Sequence, residues 1–229
     1  MSRLILIETS TSLCSVSLAI DGKIAASRES DAPHSHASMT TPFVKEVLDE
    51  AGLKVSDCDA VCLSAGPGSY TGLRVGSSTA KGLCFAAGIP LISVSTLEIL
   101  VHQAAARRLS DGCRYVIPMI DARRMEVYTA VYTPQGERLS DVEPLIVEEG
   151  SFSRELSEGP VLFIGDGAAK CETVLACGNA RFVQENPHAS SMLVPAMREL
   201  EAGHFQDTAY FEPFYLKQFI ATVSKKNLF

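Results

Sequence analysis

The sequence has no apolar run approaching the length of a membrane span, which argues against a helical membrane protein. It has no Cys-x-x-Cys, and its seven cysteines are an odd count, whereas a disulfide framework uses an even set. No Gly-x-Ser-x-Gly nucleophile elbow is present, so a familiar hydrolase signature is missing. Basic residues are also short: 20 Lys and Arg stand against 27 Asp and Glu, a formal net charge of −7. Non-specific nucleic-acid binding rests on basic surface, so any such role is expected only inside a complex. Met1-Ser2-Arg3 runs straight into Leu4-Ile5-Leu6-Ile7 and then Glu8, without the small-residue cleavage site of a signal peptide. Cys14, Cys62 and Cys84 sit in apolar surroundings and read as reduced core thiols of a cytoplasmic protein. A zinc site on Cys58 and Cys62 would need a second ligand pair, and none follows. With 46% apolar and 21% charged residues over 229 positions, the chain has the composition of one large globular domain or two small ones.

The organising stretch is Gly66-Pro67-Gly68-Ser69-Tyr70-Thr71-Gly72-Leu73-Arg74-Val75-Gly76. It follows an apolar run, Ala60 to Leu63, that predicts a buried strand. It leads into a helix predicted from Thr71 to Ala87, stopped by Gly88 and Pro90. Strand, glycine loop and helix N-terminus in that order can cradle an anion, because loop and helix N–H groups converge where the helix dipole favours negative charge. The same order also makes a tight strand-to-helix turn that binds nothing. Gly72, Gly76 and Ala80 share one face of the helix. Each interior glycine disfavours the helix by roughly 0.5–1 kcal/mol relative to alanine. Something is therefore expected to approach that face closely: a neighbouring strand, a ligand, or a helix of another subunit.

Hydrophobic periodicity predicts the remaining elements. Leu4–Thr9, Ser15–Ile20 and Lys23–Arg28 form a three-strand meander, with Asp21-Gly22 as a hairpin turn. Ser30–Thr40 reads as polar and irregular. Thr41-Pro42 opens a helix carrying the apolar stripe Phe43, Val44, Val47, Leu48 and Ala51, ended by Gly52. Leu91–Val94 is a strand, and Ser95-Thr96-Leu97-Glu98 a capping box opening a helix to about Leu109. The order then repeats with shorter pieces after Asp111-Gly112. Strands fall at Tyr115–Ile120, Glu126–Tyr132 and around Leu139–Val147, then a short helix near Phe152–Leu156 and a strand at Val161–Ile164. Gly165-Asp166-Gly167 is a turn, followed by a helix at Lys170–Ala176, a strand at Arg181–Val183 and a helix near Ser190–Ala202. Two copies of βββαβαβα point to a duplicated α/β fold of the actin and sugar-kinase type, with an N-terminal lobe over 1–110 and a C-terminal lobe with a tail over 111–229. The tail from Phe205, rich in aromatics, is expected to pack along the second half.

Several stretches together resemble the TsaB (YeaZ) family. They are Ile7-Glu8-Thr9-Ser10-Thr11, the Gly66–Gly76 loop with Ala80-Lys81-Gly82-Leu83, Gly88-Ile89-Pro90, and Val94-Ser95-Thr96-Leu97-Glu98. Asp121-Ala122-Arg123-Arg124-Met125-Glu126-Val127-Tyr128 and Pro213-Phe214-Tyr215-Leu216 complete the set. The resemblance covers nearly the whole chain. It implies an ASKHA (RNase H-like) fold and a part in making N6-threonylcarbamoyladenosine at position 37 of tRNAs that read ANN codons. It implies TsaD as catalytic partner, the ATPase TsaE as a further one, a homodimer when the chain is alone, and tRNA met only through the complex. It also implies that the helices carrying Pro42, Phe43, Val44, Val47 and Leu48, and Gly72, Leu73, Gly76 and Ala80, meet their counterparts in a partner subunit.

By that resemblance the chain itself lacks a catalyst. The metal-binding His-x-x-x-His pair of TsaD-like proteins falls on Thr96 and Leu100 here, and leucine has no donor. His34 and His36 are two apart in a polar stretch, not one helical turn apart. The Asp-x-Gly phosphate turn of ASKHA kinases is replaced by Glu8-Thr9-Ser10, and Gly165-Asp166-Gly167 puts a carboxylate where an adenosine turn would lie. No cofactor or metal is therefore expected in this chain, with ATP and metal expected in partner subunits. Asp121, Arg123, Arg124 and Glu126 form a dense charged turn, either a solvated hairpin tip with weak ion pairs or a contact point for a partner or its substrate. The leading function is an accessory subunit that binds and activates TsaD. The alternative is a stand-alone metal-dependent glycoprotease-like hydrolase or an ASKHA kinase.

Overall fold

The computed structural model describes residues 2–33 and 35–216. The first meander is β1 (Arg3–Glu8), β2 (Cys14–Ile20) and β3 (Lys23–Ser30). Asp21 and Gly22 both take positive φ, +48° and +71°, the twist a two-residue hairpin needs. Next come α1 (His36–Glu50), β4 (Ala60–Gly66), α2 (Tyr70–Ala87), β5 (Leu91–Ser95) and α3 (Thr96–Ala106). The second round is β6 (Tyr115–Asp121), β7 (Glu126–Thr129), β8 (Glu143–Ile146), α4 (Ser153–Glu158), β9 (Val161–Ile164), α5 (Ala168–Leu175), β10 (Ala180–Val183) and α6 (Leu193–Ala202). The strand orders are β3-β2-β1-β4-β5 and β8-β7-β6-β9-β10. In each sheet the leading strand is antiparallel to the second and parallel to the fourth. The same winding occurs twice, which is the duplicated actin-like ASKHA fold expected from the sequence.

The first sheet is buried on both faces, so its central strands are nearly continuous apolar runs. Ile5, Ile7, Val61 and Leu63 face α1 and α2, in a core with Phe43, Val44, Val47, Leu48 and Ala80. Leu4, Leu6, Cys62 and Ile92 face the other way. They are covered chiefly by Ala189, Met192 and Ala196, which lead into and form α6. In exchange, Leu97, Leu100, Val101 and Ala104 of α3 pack on Val116, Ile120, Leu162 and Ile164 of the second sheet. Each half thus lends its last helix to cover the other half's sheet. Cys58 and Cys62 fall in cores on opposite faces of the first sheet, which separates them as joint metal ligands.

Four local expectations are corrected. The first helix begins at His36, about a turn and a half before Thr41, so Pro42 lies inside α1. The start is anchored by His36 Nε2 on the Thr11 carbonyl at 2.9 Å and by Thr40 Oγ1 donating to the His36 carbonyl at 2.6 Å. Pro42 forfeits only the bond to Ser38, whose carbonyl belongs to an exposed residue. The capping box of α3 is not made, because Glu98 is drawn to the Arg198 guanidinium of α6 at 2.7 Å, a charge-assisted bond. Strand β7 stops at Thr129 rather than Tyr132. Beyond it Tyr132 makes isolated bridges to Val116 and to Arg138, since Pro118 of β6 has no N–H to continue the ladder. The tail runs along the first sheet, not the second half. Gln206 N–H donates to the Leu91 carbonyl and Phe214 N–H to the Ala65 carbonyl, and Lys81 Nζ reaches the carbonyls of Ala209 and Phe211 at 3.0 and 3.2 Å. The expected tail beyond Leu216 lies outside the described residues. Among the described residues no helix is long and apolar enough to cross a membrane.

Because the two halves interlock through α3 and α6, a cavity made on one side should loosen both. Met192→Ala is expected to lower stability by about 2–5 kcal/mol and to leave one cooperative transition in calorimetry. Two separated transitions would contradict the exchange.

Candidate functional site

The glycine loop and the turn after β1 fit into each other. Ser69, the N-cap of α2, has extended backbone and accepts the Gly72 N–H on its Oγ at 3.3 Å. Its own N–H donates to the Ser10 carbonyl at 2.6 Å. A Cβ added at Gly68 would collide with the Ser10 carbonyl, one at Gly72 with the Thr9 carbonyl, and one at Gly76 with Thr9 Oγ1. Thr9 Oγ1 in turn donates to the Gly72 carbonyl at 2.8 Å. The close neighbour required by the helix glycines is therefore the chain's own Thr9-Ser10. The concavity an anion would occupy is filled by backbone and a threonine side chain. A cavity of 460 Å³ lies next to the loop, bordered by Ala65-Gly66, Ser93–Ser95, Arg138, Asp141 and Phe214. None of Pro67–Gly72 lines it, so the start of α2 presents no open anion site there.

Glu8, which ends β1 after the apolar run Leu4–Ile7, is wholly buried. Its Oε1 accepts the Ser10 N–H at 2.5 Å, while Oε2 has no hydrogen-bond partner among the described groups. Burial pushes its pKa up from 4.5 to about 7, opposed by hydrogen bonding from Ser10. A phosphate-binding turn would present N–H groups and small residues there, and this one presents a carboxyl group.

The second half repeats the arrangement with charges. Asp166, in the turn after β9, accepts the Asp121 N–H on Oδ1 at 2.8 Å. Burial raises its pKa from 3.8 to about 6, and the neighbouring Asp121 charge adds to the rise. Lys170 on α5 pairs with Asp121 and donates to the Glu126 carbonyl. The Asp121–Glu126 turn is thus held from below, with Arg123 and Arg124 at its tip at φ +72° and +51°. Sequence periodicity carries no mark of Lys170 as the pin.

Of the residues expected to meet a partner, only Pro42 is exposed. Phe43, Val44, Val47, Leu48, Gly72, Leu73, Gly76 and Ala80 are buried within the chain. The exposed residues of the same two helices include Pro42, Lys45, Glu46 and Asp49 on α1 and Arg74, Ser78, Gly82 and Phe85 on α2. Phe85 is 88% exposed, and nothing lies within 4 Å of a Cβ placed on Gly82. Thr96 and Leu100 are buried, Leu100 in the core shared with the second sheet, so these are packing positions. His34 lies outside the described residues, and His36 is committed to the Thr11 carbonyl. Among the described residues no three His, Cys, Asp or Glu side chains converge as metal ligands would.

Residues 27–224 match the TsaD family, described as tRNA N6-adenosine threonylcarbamoyltransferase. The chain is 34% identical over 233 residues to the tRNA threonylcarbamoyladenosine biosynthesis protein TsaB of Escherichia coli, covering 96% of each. It is 37% identical over 226 residues to the TsaB protein of Haemophilus influenzae, covering 93% of each. Its structure is similar to that of YeaZ from Pseudomonas aeruginosa, with a TM-score of 0.83 and 31% identity over 94% of this chain and all of the other.

Two outcomes test this geometry. Gly76→Ala should destabilise by about 1–3 kcal/mol through overpacking, and part of that loss should vanish in a Thr9→Ala background, measured as a double-mutant cycle in urea. Purely additive effects would contradict the contact. Glu8 has a raised folded-state pKa, so its contribution is fully present below the unfolded value near 4.5 and is lost as pH rises through about 7. The expected loss is about 3 kcal/mol, and Glu8→Gln should flatten the stability profile across that window.

Proposed function

The chain belongs to the TsaB family of tRNA threonylcarbamoyladenosine biosynthesis proteins, and from that premise we propose that it is a non-catalytic subunit that binds and activates a TsaD-type transferase. The observation that carries the reading is the filled glycine cradle. Thr9 and Ser10 occupy the face of α2 that an ASKHA enzyme could open to a phosphate, and Glu8 stands in the turn beside it. Leu100, buried in a core, cannot serve as a metal ligand. These features weigh against a stand-alone hydrolase or kinase, whose chemistry would need the site this chain has closed. The TsaD-type partner, with a TsaE-type ATPase, supplies the nucleotide and metal chemistry in this scheme.

The docking surface we propose is the outward side of α1 and α2. Ser78 and Gly82 leave a shallow stretch on α2, and small residues let a second helix axis approach more closely than the usual 8–10 Å. Phe85 beside them provides a large apolar anchor of the kind that dominates interface energetics. A second copy of the chain could occupy the same side, which accounts for the homodimer expected in the absence of the partner. Family likeness to TsaD supports a pairing of two similar surfaces.

Both Gly82 and Phe85 are exposed, so substitutions there spare the fold. Gly82→Arg and Phe85→Glu are expected to melt within a few degrees of the wild type, to lose affinity for the TsaD-type partner by at least about tenfold, a typical hot-spot effect, and to lose support of modification. Unchanged affinity, measured by calorimetry against the purified partner, would show that the partner docks elsewhere.

A further inference from the structure

The tip of the β6–β7 hairpin holds two adjacent arginines in left-handed backbone conformation, Arg123 at φ +72° and Arg124 at +51°. L-residues with side chains avoid this region, and long side chains gain nothing locally from it. Strain of that kind persists only where surrounding structure imposes it, and here the surroundings do so. The Ala122 N–H donates to the Glu126 carbonyl and the Glu126 N–H to the Arg123 carbonyl. The Arg123 N–H donates to Asp121 Oδ1 at 2.8 Å. Asp121 is paired with Lys170, which also donates to the Glu126 carbonyl at 2.7 Å, and the Asp121 N–H is fixed by Asp166. Gln184 closes the base by donating to the Asp166 carbonyl at 2.7 Å.

The charges at this tip are sorted. Asp121 and Asp166 are engaged with the hairpin's own N–H groups, and Asp121 also with Lys170. Both arginines are exposed, and neither side chain has an ion-pair or hydrogen-bond partner among the described residues. In a chain of net charge −7, these two neighbouring, exposed guanidiniums stand on a rigid support without carboxylate partners among the described residues, free to meet an anion. Guanidinium forks match phosphate oxygens and stay charged at every physiological pH. We propose that Arg123 and Arg124 contact the phosphate backbone of the tRNA while the chain is assembled with its transferase. This rests on the function proposed above, and it gives an otherwise acidic subunit a direct hold on the substrate that it lacks strength to bind alone.

The test uses the reconstituted complex of this chain with its TsaD-type and TsaE-type partners, and measures tRNA affinity across a salt series. The variants are Arg123→Asn/Arg124→Asn, since asparagine tolerates the left-handed conformation, and Arg123→Lys/Arg124→Lys. Each lost phosphate contact removes roughly 0.7–0.9 from the slope of log K against log salt. The double asparagine variant should therefore lower the slope by about 1.4–1.8 and weaken binding at about 0.1 M salt by roughly 25-fold to 60-fold. The double lysine variant should keep the slope, and both variants should assemble normally on size exclusion. An intact complex with an unchanged slope would overturn the proposal, as would failure of the asparagine variant to assemble, which would make the tip a protein contact. If the wild-type chain forms no complex with the transferase, the function proposed above falls, and this inference with it.

Discussion

Thr9 lies across two turns of α2, its carbonyl over Gly72 and its hydroxyl over Gly76, while Ser10 closes on Gly68 and Ser69. The rest of the first half is arranged around that contact. The glycines are needed because backbone sits where side chains would otherwise be, and together they disfavour the helix by roughly 1–2 kcal/mol against alanine. In return, the C-terminal end of β1 is locked onto the start of α2. In open α/β sheets a ligand commonly sits outside the carboxyl ends of the strands. Here that place is a joint. The space beside the glycines is taken by Thr9 and Ser10 of the chain itself.

The fold was legible because its evidence is periodic. The alternation in β2, the stripe of α1 and the repeat of strand-helix order after Asp111 all express burial, and burial is written in residue type. What periodicity does not express is which sheet an apolar face covers. Nothing in Met192 or Ala196 says that they serve the first sheet, and nothing in Leu97 or Val101 says that they serve the second. The exchange of α3 and α6 is settled by three-dimensional packing alone. The same limit explains the tail, whose aromatics marked it as a packed segment but not where it packs.

The site was half legible. The spacing of Gly72 and Gly76 announced a close approach, and the residue types left open what approached. Thr9 was hidden because a threonine at the end of a strand is ordinary without its neighbour. The residues expected to meet a partner are, except for Pro42, buried within the chain for a related reason. An apolar stripe marks the buried side of a helix first, so Phe43, Val44, Val47 and Leu48 belong to the core, and the outward side is recognised by an exception, the exposed Phe85. At the second turn the arginines were visible in the sequence, while the device that presents them, Lys170 and Asp166 beneath Asp121, required the fold.

A filled joint, a helix surface left outward and two unpaired arginines on an acidic chain support the proposal of a subunit that works through a partner. The most direct measurement is formation of threonylcarbamoyladenosine on tRNA by the purified TsaD-type and TsaE-type partners, with and without this chain, alongside the chain by itself. Modification that requires the chain, with no turnover by the chain alone, is the predicted result. Full modification without it, or turnover by the isolated chain, would contradict the assignment.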